Sequence, residues 1–212
     1  MSKNELPADA VRRRMWADRP GPALPLLLLG LVVVGGIVMS MVDRQDFYMF
    51  GGTRLAYWAV ATLIAYGLMM LIARHQGYRS GIWVSRKALV LTGVVALAVV
   101  VTALVGDNGW YLPGDLTERG NLPLLAITAG VLVWAWYERR PGLWALGAIL
   151  VPLTLLANLY DMENVLFRMG VPYFEAAGQV VNLGVVAAVL LIASAAYGLV
   201  HFRQRRRVGT MR

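Results

Sequence analysis

Thr154, Asn158 and Asp161 recur at i, i+4 and i+7, a spacing that lines them along one helical face. A hydroxyl, a carboxamide and a carboxylate in that row could hydrogen-bond a small polar solute. Pro152, one turn deeper, has no N–H and leaves the carbonyl of Ala148 without its helical donor. In lipid such a carbonyl is costly to expose, so this face is expected to turn toward protein or a wet cavity. Gln179 and Asn182 in the next apolar stretch, and Thr102 in an earlier one, add further hydrogen-bonding groups. Together these six side chains are candidates for the lining of an outward-open vestibule. The competing use of the same groups is to bond helix to helix, at about 0.6 kcal/mol each.

Other chemistry is sparse. His75 and His201 each fall at the end of an apolar stretch. Axial haem ligation is disfavoured, because bundle ligands must project inward from facing helices and His75 is expected in a loop beyond Arg74. Asp43 with Asp46, and Asp161 with Glu163, offer oxygen ligands suited to a hard cation, but acidic residues also commonly flank apolar stretches as a solvated face. Neither a metal nor another cofactor is expected. The chain has no cysteine, which removes disulfides, thiolate metal sites and cysteine nucleophiles. His-Glu-x-x-His, Gly-x-Ser-x-Gly and Walker-type patterns are absent as well.

The elements that must position these residues follow from composition. Of 212 residues, 58% are hydrophobic and 15% charged, and mean hydropathy is +0.60; soluble chains carry roughly 25% charged residues. The charges are also segregated. Six uncharged runs, Pro20–Val42, Leu55–Ala73, Ala88–Gly106, Gly120–Tyr137, Pro141–Tyr160 and Ala176–Phe202, contain 126 residues and none of the 32 charged ones. Each can cross a hydrocarbon core of about 30 Å as a helix. The expected fold is an all-α integral membrane protein, a bundle of six spans near 23–42, 55–73, 88–106, 121–137, 142–160 and 178–201. A basic segment, residues 1–22, precedes them, and a basic tail, residues 203–212, follows. The first run is too long for a signal h-region and ends without a small-x-small cleavage pattern, so it is expected to be retained.

With both termini cytoplasmic, 16 of the 20 lysines and arginines fall inside, and eight of the 12 acidic residues fall outside. The formal net charge of +8 thus divides into +12 inside and −4 outside. The basic clusters Arg12, Arg13, Arg14 and Arg203, Arg205, Arg206, Arg207 flank spans, which assigns them to anionic lipid headgroups rather than nucleic acid. No Asp, Glu, Lys or Arg lies within a span, which disfavours ion-coupled transport.

Spans four and five are separated only by Glu138-Arg139-Arg140-Pro141-Gly142 and must be antiparallel neighbours. Gly30 and Gly35 in span one, and Gly184-x-x-x-Ala188 and Ser194-x-x-x-Gly198 in span six, have the small-residue spacing that lets membrane helices approach closely. The stretch from Asp161 to Glu175 mixes Val165, Leu166, Phe167, Met169 and Tyr173 with charges; it is too short to span and is expected along the outer interface or on a partner. The aromatic loop Asp46–Phe50 invites the same reading.

That acidic-aromatic loop after span one, Gly109-Trp110-Tyr111-x-Pro113 after span three and the short basic turn after span four form a loop order that resembles the non-metal membrane subunit of copper-dependent methane and ammonia monooxygenases. The family's tryptophan-rich loop after the first span is missing here. The resemblance implies a subunit without a catalytic centre of its own, in a membrane-bound oxidoreductase. The residues themselves point to a non-catalytic subunit of a larger complex in a bacterial inner membrane. The alternatives are a small-solute permease or substrate-capture subunit built on the polar vestibule, and an intramembrane enzyme or haem protein.

Overall fold

The computed structural model describes residues 21–43, 51–80, 86–107, 122–160, 162–170 and 178–209. Seven helices account for nearly all of them: α1 (Ala23–Asp43), α2 (Gly51–Ser80), α3 (Arg86–Asp107), α4 (Leu122–Glu138), α5 (Pro141–Leu159), the short α6 (Met162–Arg168) and α7 (Gly178–Gly209). No strand occurs among the described residues. Four helices contain segments long and apolar enough to cross a membrane, Ala23–Met41, Ala56–His75, Pro141–Leu159 and Val180–Gln204. Val90–Leu104 and Leu122–Glu138 are shorter apolar helical segments.

Two helices run well past the ends of their uncharged stretches. α2 continues through Arg74 to Ser80, and α7 continues through Arg203 to Gly209. An uncharged run marks the hydrocarbon limit, whereas the helix itself persists because arginine and glutamine are good helix formers. His75 therefore lies within α2 and not in a loop as the sequence suggested.

Consecutive long helices pack side by side: α1 on α2, α2 on α3, α3 on α4 and α4 on α5. α7 then closes the ring by packing on both α5 and α1, the pair α1–α7 being the most extensive. Contacts of Gly30 with Leu191 and Gly184 with Ile37, with a hydrogen bond from Ser194 to Ala23, run α1 and α7 antiparallel. The up-and-down course gathers the start of α1, the end of α2, the start of α3, the α4–α5 turn and the end of α7 at one end. Arg74, Arg139, Arg140, Arg203 and Arg206 sit at that basic end.

Inside the ring, Leu26, Val33, Ile127, Leu150, Val186 and Leu190 are fully or almost fully buried. Outward-facing apolar residues are equally plain, including Leu63 and Leu71 on α2 and Val94 and Leu97 on α3, each more than half exposed. Apolar side chains gain little by leaving lipid for other apolar side chains, so close packing must hold such helices together. Gly30 supplies part of it: a Cβ there would lie 2.7 Å from Leu191 Cδ2. Gly35 leaves room for the Tyr57 ring, whose hydroxyl donates to the carbonyl of Val32.

The α4–α5 turn is built by its own sequence. Arg140, the residue before a proline, is extended at φ −91° and ψ 118°, and Pro141 opens α5 where its missing N–H costs nothing. Arg139 adopts the left-handed φ of +53°, and an ion pair of 2.7 Å joins Arg140 to Glu138.

Candidate functional site

The polar residues of α5 and α7 meet at the end of the bundle opposite the arginines. Thr154, Asn158 and Asn182 are all completely buried there. Thr154 turns its hydroxyl onto its own helix, donating to Leu150 O at 2.9 Å and Val151 O at 3.2 Å. Asn158 Nδ2 donates to Thr154 O at 2.8 Å, so the stripe bonds along α5 one turn at a time.

Asn182 ties three elements together. Its Oδ1 accepts from the backbone N–H of Met162 at 2.8 Å, and its Nδ2 lies 3.4 Å from the carbonyl of Ala157. The last carbonyls of α5 and the first N–H groups of α6 lack partners within their own helices. One carboxamide from α7 thus serves the end of α5 and the start of α6. Met162 is itself 6% exposed and packs into the core beneath α6. Further along, Gly170 at φ +85° donates to Phe167 O at 3.0 Å and stops α6 in the left-handed conformation that glycine tolerates.

Of the six candidate lining residues, the fold brings together Thr154, Asn158 and Asn182. Thr102 stands apart on α3, which packs on α2 and α4; it is half-buried and bonds Ala98 O and Val99 O of its own helix. Asp161 lies outside the described residues, as does the side chain of Gln179 on α7. Pro152 corrects an expectation. Thr154 faces inward, but Pro152 and Ala148 are exposed on the outer surface of α5. At 100° per residue, two positions reverse the face, so the freed carbonyl does not share the stripe's environment.

Among the small residues singled out for packing, Gly30, Gly35 and Ser194 make close contacts, and Gly184 and Gly198 meet Ile37 and Ala23 at ordinary contact distances. Ala188 faces outward. Gly130 and Gly147, which the sequence did not single out, receive Val95 and Leu132 from neighbouring helices. Thr62 and Thr128 are likewise buried without having stood out in the sequence. Glycines recurring in apolar runs were the available signal for the first pair, and lone threonines gave none.

His75 is exposed on α2 and His201 is half-buried on α7, with α1 packed against both helices. Among the described residues, no three His, Asp or Glu side chains come together as metal ligands. The side chains of Asp43, Asp46, Asp161 and Glu163 lie outside the described residues. At the basic end Arg203 and Arg206 are exposed, with Arg206 4.5 Å from the Phe202 ring; the side chains of Arg205 and Arg207, and all of Arg12, Arg13 and Arg14, lie outside the described residues.

These spans and their apolar exteriors define an α-helical membrane protein. Compared with known protein families, curated proteins and solved structures, the chain matches none. The likeness to the copper monooxygenase subunit rests on loop order, and two of its three loops, around Asp46–Phe50 and Gly109–Pro113, lie outside the described residues.

Proposed function

We propose that this chain is a non-catalytic integral membrane subunit of a larger assembly in a bacterial inner membrane. It crosses the bilayer six times with both termini in the cytoplasm. The observation that carries this reading is the construction of α6. Its first residue is buried and its first N–H is held by Asn182. Meanwhile Phe167 at its far end and Met169 just beyond it are 58% and 74% exposed. A short helix fixed at one side and apolar at the other is built to be covered.

The charge distribution supports the orientation, because it places the arginine-rich end in the cytoplasm against anionic headgroups. A membrane-bound oxidoreductase of the copper monooxygenase type is the assembly that the loop resemblance favours.

The test is a photo-crosslinking residue at position 167 or 169, activated in native membranes. A single protein adduct in stoichiometric yield is the expected outcome. Cross-links to lipid alone, with the chain monomeric in discs of native membrane, would overturn the reading.

A further inference from the structure

Thr62, Thr102, Thr128 and Thr154 lie at depth in the helices, and they divide into two kinds. Thr102 and Thr154 turn their hydroxyls back onto carbonyls of their own helix, the usual resting place for a threonine in an apolar helix. Thr62 on α2 and Thr128 on α4 do not. They are only 7% and 4% exposed, yet neither Oγ1 has a hydrogen-bond partner among the described residues.

Both hydroxyls belong to inward faces. Thr62 shares its face with Trp58 and Ala65, which are buried, whereas Leu63 and Leu71 across the helix are exposed. Thr128 shares its face with Leu124 and Val131, which are buried, whereas Trp136 is exposed. Contacts of Tyr66 with Gly93, and of Val95 with Gly130, fix the antiparallel register of α2, α3 and α4. That register brings Thr62 and Thr128 to the same depth within about one helical turn, roughly 5 Å. A valine has the same shape and no group to satisfy, so two hydroxyls left open at one depth are costly unless something meets them.

We propose that Thr62 and Thr128 line a buried polar site at mid-depth in the bundle that takes neutral, water-sized hydrogen-bonding molecules. Neutrality follows from the surroundings: both residues lie within runs, Leu55–Ala73 and Gly120–Tyr137, that contain no charged residue to balance an ion. Each hydroxyl can donate once and accept twice, which suits a guest that also does both. This site is independent of the exposed face of α6 and of any partner there.

Water is the probe, and the full-length chain in lipid discs is the sample. Water-edited solid-state NMR on threonine-labelled protein reads magnetisation passing from water to each side chain. Thr154, fully buried and bonded to its own helix, is the internal reference. The site requires transfer to Thr62 and Thr128 well above that at Thr154. Thr62→Val and Thr128→Val should each lower the folding equilibrium about fivefold, the factor for one hydrogen bond. Thr62→Ser and Thr128→Ser should keep the water signal at the substituted position. Transfer no greater than at Thr154 would overturn the proposal, and so would valine variants that leave the bundle as stable as before or more so.

Discussion

At the scale of single residues, Asn182 does work that the spacing of α5 alone did not announce. Thr154 and Asn158 were legible as one stripe because helical periodicity is a local property. The partner of Asn182 was not legible, because it is the backbone N–H of Met162, a group that every non-proline residue carries. Asn182→Leu should therefore cost about 1–3 kcal/mol, leaving the buried N–H of Met162 unmet. Asn158→Leu should cost less, about 1 kcal/mol, since its Nδ2 serves a carbonyl of its own helix. Thermal unfolding of both variants in detergent measures the difference, and a larger loss at Asn158 would contradict this division. Arg139 is the converse case, a side chain in a backbone conformation that suits glycine. Arg139→Gly should stabilise the turn by about 0.5–1 kcal/mol, read as a higher denaturation midpoint.

At the scale of helices, close approach decides which neighbours are possible. Gly35 admits the ring of Tyr57, and the Tyr57 hydroxyl then bonds the carbonyl of Val32. A methyl at position 35 would displace that hydroxyl, so Gly35→Ala and Tyr57→Phe should remove the same bond. Each should destabilise by about 1 kcal/mol or more, and the double variant by less than the sum. A strictly additive pair would show that the two act separately. Pro152 offers a gain instead of a loss. Its missing N–H leaves the Ala148 carbonyl without a helical donor, on the exposed face of α5. Pro152→Ala restores that donor and should raise stability by about 1–3 kcal/mol in lipid discs. The sequence showed the proline but not its direction, because which face is outer depends on how α4 and α7 pack beside α5.

For the whole molecule, the up-and-down ring makes a strong statement about sidedness. The described long helices alternate in direction, so one orientation fixes them all. The absence of cysteine makes this easy to measure, since single cysteines can be added without first removing any. With the proposed orientation, Asn164→Cys on α6 should react with a membrane-impermeant maleimide in intact bacterial cells, and Tyr78→Cys and Arg139→Cys should react only after permeabilisation. Both positions 78 and 164 are exposed in the folded chain, so access and not burial is what the label reports. Labelling of position 78 from outside would overturn the proposed orientation, and labelling of 78 and 139 from opposite sides would overturn the proposed six-span course.

The amino-acid sequence by itself determined the solvent and the apolar character of the helices that meet it. Long uncharged runs and clustered arginines have that meaning in any tertiary arrangement, because the cost of placing charge in hydrocarbon is paid residue by residue. Only the tertiary structure decided which helices are neighbours, that α7 closes the ring onto α1, and that Asn182 joins α5 to α6. It also separated Thr62 and Thr128, whose hydroxyls bond no described residue, from Thr102 and Thr154, which donate to carbonyls of their own helices. Those outcomes depend on rotamers, register and close approach between residues far apart in the chain, and lipid supplies no hydrophobic pattern by which a sequence could mark them.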